Sequence, residues 1–126
     1  MDLKFLVVDD SVTMRRIVIN SLKNLGYTSY VEATDGKDAL AKLAADSSIN
    51  FVITDWNMPN MTGLELSQAI RGDANLSKLP ILMVTTRGVK DDIVQALNVK
   101  VNNYVVKPFT PQVLKEKLDA ILANLQ

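Results

Sequence analysis

The stretch Lys4-Phe5-Leu6-Val7-Val8-Asp9-Asp10 decides how the rest of the chain reads. It is a short, apolar, β-branched run that stops at two carboxylates. Three later stretches follow the same pattern. Phe51-Val52-Ile53-Thr54 ends in Asp55, Ile81-Leu82-Met83-Val84 ends in Thr85-Thr86, and Tyr104-Val105-Val106 ends in Lys107-Pro108. If the four runs are parallel strands, three carboxylates, a hydroxyl and an ammonium meet on one edge of one sheet. Open α/β sheets bind ligands at that edge, outside the carboxyl ends of their strands.

Between these runs lie segments of helical period. The spacing predicts strands over 4–8, 28–33, 50–54, 80–85 and 103–106 and helices over 12–25, 36–45, 62–71, 89–98 and 110–124. Val12, Ile17, Val18, Leu22 and Leu25 are the expected buried face of the first helix, which Ser11 or Asp10 can cap and Gly26 stops. Ala39, Leu40, Leu43 and Ala44 repeat at helical spacing after the Asp35-Gly36 turn. Thr62 is the expected cap of the third helix, and Thr110-Pro111 reads as N-cap plus first-turn proline. Five strands alternating with five helices predict an α/β fold with a parallel sheet covered on both faces. A doubly wound, flavodoxin-like sheet in the order 2-1-3-4-5 makes the first and third strands neighbours, which brings Asp9, Asp10 and Asp55 together. The expectation is a single domain over residues 1–126.

Composition narrows the chemistry. The chain has 126 residues, with 14 Lys plus Arg against 14 Asp plus Glu, so no net charge draws it toward nucleic acid or an anionic membrane. It has no Cys and no His, which excludes disulfides, thiolate chemistry, imidazole catalysis and His- or Cys-ligated metals. A metal here must be held by oxygen, as magnesium, calcium or manganese are. No stretch approaches the roughly 20 apolar residues of a membrane span, and the N-terminus lacks a signal peptide's apolar region. The expected location is the cytoplasm.

Three clustered carboxylates repel and raise one another's pKa values. A divalent cation relieves this, with Asp9, Asp10 and Asp55 as carboxylate ligands and the Asn57 backbone carbonyl as another. A cation beside a carboxylate suits phosphoryl transfer, with the Asp as nucleophile. Lys107 can neutralise one phosphoryl oxygen, and the Thr85 hydroxyl can bond another with help from the Thr86 amide. Each residue taken alone has a plainer reading. Asp10 can be a helix cap, Asp55 can start a turn, Lys107 can be a solvated Lys and Thr85 a simple strand former. Their shared position at the ends of four of the five strands argues against that.

The motifs Val7-Val8-Asp9-Asp10-Ser11, Thr13-Met14-Arg15-Arg16, Thr54-Asp55-Trp56-Asn57-Met58-Pro59, Met83-Val84-Thr85-Thr86 and Tyr104-Val105-Val106-Lys107-Pro108-Phe109-Thr110 give the chain a resemblance to bacterial response-regulator receiver domains. It resembles most the single-domain chemotaxis regulators of that family, over essentially its whole length. The resemblance implies that Asp55 accepts a phosphoryl group from a chemotaxis sensor histidine kinase. It implies Mg2+ held by Asp10, Asp55 and the Asn57 carbonyl, with Asp9 contacting it through water. It implies that Lys107 and Thr85 hold the phosphoryl group, and that the protein removes that group with water. Phosphorylation then draws the Thr85 hydroxyl inward, Tyr104 follows, and the face made by the 89–98 helix, the fifth strand and the last helix changes. The flagellar motor switch protein is the partner implied for that face, with Lys90, Ile93, Tyr104, Val106 and Lys117 as contacts. A dedicated phosphatase is a further partner the resemblance allows. A monomer is expected, binding neither nucleic acid nor membrane.

Two positions depart from the family pattern. No Gly ends the 89–98 helix, so either Lys100 takes a left-handed position or Asn98 ends the helix earlier. Arg87 stands at the mouth of the site where an acid is frequent, and its replacement by Glu is expected to change the autodephosphorylation rate. Arg15 and Arg16 read as exposed helix charges. The competing functions are a stand-alone receiver serving as phosphate sink or relay intermediate, an aspartyl-nucleophile phosphatase, and a phosphorylation-independent interaction module. The phosphatase lacks a second acid two residues after the nucleophile.

Overall fold

A computed structural model describes residues 2–85, 94, 96, 98 and 100–124. The elements run β1 (Phe5–Val8), α1 (Val12–Asn24), β2 (Tyr30–Ala33), α2 (Gly36–Ala45), β3 (Phe51–Asp55), α3 (Gly63–Gly72), β4 (Ile81–Thr85), β5 (Asn103–Val106) and α4 (Pro111–Asn124). The 89–98 helix lies largely outside the described residues, although Val94, Ala96 and Asn98 are helical. Thr86, Arg87, Lys90, Ile93 and Leu125 also lie outside them.

The sheet has the order β2-β1-β3-β4-β5, with every pairing parallel. Val8 registers with Thr54, and Asp55 with Val84, so the strands end together. Side chains alternate between the faces. Phe5, Val7, Phe51, Ile53, Leu82, Val84 and Val105 pack against α1 and α4. Leu6, Val8, Val52, Ile81 and Met83 pack against α2 and α3. A sheet buried on both faces is what near-continuous apolar strands require.

The caps follow local chemistry. Ser11 accepts from the Met14 amide and is the N-cap of α1. Gly26, at φ 94, ends that helix, with the Tyr27 amide bonding Leu22 O at 2.9 Å. Thr62 and Glu65 close a reciprocal capping box at the start of α3. The Val113 amide donates to Thr110 Oγ1, so Thr110 caps α4 with Pro111 in its first turn.

Two expectations about helices need correction. Val12 and Ile17 of α1 are 49% and 42% exposed, while Ile19 joins Val18 and Leu22 in the core. The buried stripe is narrower than the apolar residues suggested, because the helix touches the sheet along one seam only. Nor does the 89–98 helix stop early at Asn98, which is helical. Lys100 takes the left-handed position at φ 62, and the Val101 amide reaches back to Ala96 O at 3.3 Å. The strain of about 1 kcal/mol is met by Arg71. Its guanidinium donates twice to Lys100 O, at 3.0 and 2.8 Å, and also to Asn102 Oδ1, Ser77 O and Leu79 O.

Candidate functional site

The ends of β1, β3, β4 and β5 bring the site together. Asp9 follows β1 and is buried; its amide bonds Ala33 O, and its Oδ1 accepts from the Ser11 amide at 2.9 Å. Asp10 is the next residue and is exposed. Asp55 is the last residue of β3 and is buried. One carboxylate oxygen from each of Asp9, Asp10 and Asp55 lies within 4.8 Å of the other two. Lys107 reaches over from the end of β5. Its Nζ lies 3.1 Å from Asp9 Oδ2 and 3.1 Å from Asp55 Oδ1, with 12% of its side chain exposed.

The electrostatics follow from this crowding. Burial pushes the Asp55 carboxyl above the ordinary carboxylate range, and the charge of Asp9 adds to the rise. Lys107 and the Trp56 amide work the other way without cancelling it. The cluster is therefore short of positive charge even with one ammonium in it. Three hard oxygen donors this close suit a small divalent cation that retains water ligands, so the donor set fits magnesium.

Thr85 closes β4 and is buried; its carbonyl accepts from the Lys107 amide at 2.8 Å, which ties β4 to the residue bearing the ammonium. Asn57 is exposed, two residues past Asp55. Among the described residues, the other candidates, Tyr104, Val106 and Lys117, sit on another face. Tyr104 is half-buried on β5, and Lys117 of α4 places its Nζ 5.2 Å above the ring, a cation–π contact. Val106 is 39% exposed beside them. A groove of about 380 Å³ runs between β5 and α4, lined in part by Tyr104, Val106 and Lys117.

Arg15 is more than an exposed helix charge. Its Nη1 donates to Asp9 O at 2.7 Å, and its Nε pairs with Glu32 at 3.0 Å. It therefore braces the backbone that carries Asp9. Arg16 is exposed, as expected.

Gly63 is a residue the sequence reading missed. A Cβ there would stand 2.0 Å from Asp55 O and 3.0 Å from Asp55 C. The first turn of α3 thus sits directly on the backbone of Asp55, with the Gly63 amide bonded to Trp56 O at 2.9 Å. The available signal was a glycine directly after a capping threonine, where a better helix former is ordinarily preferred.

Residues 5–119 match the response regulator receiver domain family. The chemotaxis protein CheY1 of Helicobacter pylori is 53% identical over 122 residues, covering 97% of this chain and 98% of that protein. The chemotaxis protein CheY homolog of Campylobacter jejuni is 52% identical, covering 97% and 94%. Among solved structures, CheY4 of Vibrio cholerae superposes with a TM-score of 0.87 at 36% identity, covering 96% of this chain and 99% of that one. With a full receiver motif set on a matching fold, this chain belongs to the response-regulator receiver domain family, among its CheY-like chemotaxis members.

Proposed function

We propose that the protein is a phosphorylation-activated chemotaxis regulator in which Asp55 accepts a phosphoryl group from a sensor histidine kinase. The observation that carries this reading is the Lys107 ammonium, 3.1 Å from the buried carboxylates of both Asp9 and Asp55, with Asp10 beside them. Asp55 supplies the attacking oxygen; the phosphorus–nitrogen bond of the donor breaks as the Asp55 oxygen–phosphorus bond forms. Lys107 follows the negative charge from the carboxylate to a phosphoryl oxygen. The Thr85 hydroxyl, at the adjoining strand end, donates to a second oxygen. A Mg2+ held by Asp10, Asp55 and the Asn57 carbonyl, with Asp9 contacting it through water, would neutralise the remaining charge. Water later hydrolyses the acyl phosphate.

The output is a population shift. Engagement of Thr85 by the phosphoryl group favours an inward Tyr104, which repositions Lys117 and the groove between β5 and α4. The flagellar motor switch protein is the partner of that face. The protein is a cytoplasmic signalling molecule in a single domain and not a metabolic enzyme. Among the described residues no helix is long and apolar enough to cross a membrane.

Incubation with Mg2+ and acetyl phosphate tests the reading. Intact-mass spectrometry is expected to show one phosphoryl adduct, absent from Asp55→Asn. A folded protein that gains no adduct overturns it. Pull-down of motor switch protein, with and without a phosphoryl mimic, separates a motor regulator from a phosphate sink.

A further inference from the structure

The loop between β3 and α3 carries Asn57, and two contacts fasten that loop to the start of α2. Asn60 Nδ2 donates to Asp35 Oδ2 at 2.8 Å. The Met61 side chain covers Gly36 so closely that an added Cβ there would lie 2.6 Å from Met61 Cγ. Asp35 uses its two oxygens separately. Oδ1 accepts from the Asp38 amide at 2.8 Å and caps α2, while Oδ2 takes the Asn60 amide. Capping needs only the first.

The platform under the loop is itself braced. Asp38 Oδ2 accepts from the Thr34 amide at 3.0 Å, so the first turn of α2 is closed from both directions. The loop above it takes a costly shape, since Asn60 adopts φ 66. Asn tolerates the left-handed region better than most residues, and its side chain can also reach Asp35. Within the loop, the Met61 amide bonds Pro59 O at 2.7 Å and the Gly63 amide bonds Trp56 O at 2.9 Å. The first bond stays inside the loop and the second ties it to α3. Asn60–Asp35 and Met61–Gly36 tie it to α2.

We propose that Asp35 and Asn60 are positioning residues for the cation site: they hold the β3–α3 loop in the shape in which Asn57 serves as a ligand. Preorganising a ligand loop strengthens binding by removing ordering cost from the binding step. The inference rests on the reading of Asp9, Asp10 and Asp55 as a divalent-cation site.

Trp56 is buried next to Asp55, so its fluorescence reports a titration with MgCl2. The proteins compared are the wild type, Asp35→Ser, Asn60→Gly, the double variant and Asp38→Asn. Serine retains the α2 cap while losing the second oxygen. The Kd for Mg2+ is expected to weaken about three- to tenfold in either single variant, the scale of one lost hydrogen bond. The double variant is expected to bind no more weakly than the singles, because both remove the same contact. Asp38→Asn removes a charge from the same turn without touching Asn60, and its Kd is expected to stay within about twofold of wild type. Melting curves without metal show whether Asp35→Ser remains folded; if it does not, the Asn60→Gly comparison decides. Unchanged affinity in the variants, or losses that multiply in the double, overturns this inference alone. No saturable Mg2+ response in the wild type overturns the cation-site reading, and this inference with it.

Discussion

The backbone of Gly63 lies so close to Asp55 that a Cβ on Gly63 would stand 2.0 Å from the Asp55 carbonyl oxygen. No side-chain rotation relieves a clash with backbone. Gly63→Ala is therefore expected to lower stability by about 2 kcal/mol or more, by forcing α3 and β3 apart. Because the shift falls on the candidate phosphoacceptor, the adduct yield with acetyl phosphate should also drop in protein that remains folded. Denaturant unfolding and intact-mass spectrometry measure the two effects, and a variant matching wild type in both would contradict the contact.

Lys107 offsets two buried carboxylates, at 3.1 Å each. Lys107→Met leaves Asp9 and Asp55 facing each other without it. The expected cost is about 2 kcal/mol, below the figure for a fully buried pair because Asp10 keeps one side of the site open to water. The variant should bind Mg2+ more tightly than wild type and gain more in Tm from it, as expected when a ligand binds only the native state. Weaker Mg2+ binding by the variant would count against the charge balance described above.

Asp55 gives the folded state a pH signature. Burial, and then Asp9, hold its native pKa above the ordinary value of the unfolded chain. Between those two values the folded state binds more protons than the unfolded, so stability falls as pH rises through that window. Below the unfolded value the penalty is absent; above the raised native value it is fully present. Asp55→Asn should therefore melt a few degrees higher than wild type at pH 7 without metal. The difference should shrink as the pH is lowered toward the unfolded value of about 3.9. Calorimetry across that range checks the sign, which reverses if ionised Asp55 is a net stabiliser.

Lys100 occupies a left-handed position at φ 62, fixed by Arg71 donating twice to its carbonyl. Lys100→Gly removes strain of about 1 kcal/mol, less the extra freedom glycine gives the unfolded chain. A net gain of about 0.5 kcal/mol is expected by denaturant unfolding. Arg71→Met should cost about 2 kcal/mol, since it leaves several carbonyls without their donor. A loss of stability in Lys100→Gly would show that its side chain contributes more than the backbone strain removes.

Much of this protein is written locally. The strand runs, the caps at Ser11, Thr62 and Thr110 and the stop at Gly26 follow from residues within a few positions of one another. So does the placement of Asp9, Asp55, Thr85 and Lys107 at strand ends, because a strand that stops at a polar residue exposes it at the sheet edge. The helix faces were less legible. Val12 and Ile17 are as apolar as Val18 and Ile19, and only the seam between α1 and the sheet decides which pair is buried.

What the sequence determined by itself is the alternation of strand and helix and which polar side chains stand at the strand ends, since both depend on local periodicity and on side-chain chemistry. What only the tertiary structure decided are the contacts between distant segments. These are Arg15 on the Asp9 carbonyl, Gly63 against Asp55, Asn60 on Asp35, and Arg71 holding Lys100 across 29 residues. They depend on close packing between elements, where a fit of a few tenths of an ångström is set by the whole assembly and leaves no periodic trace along the chain.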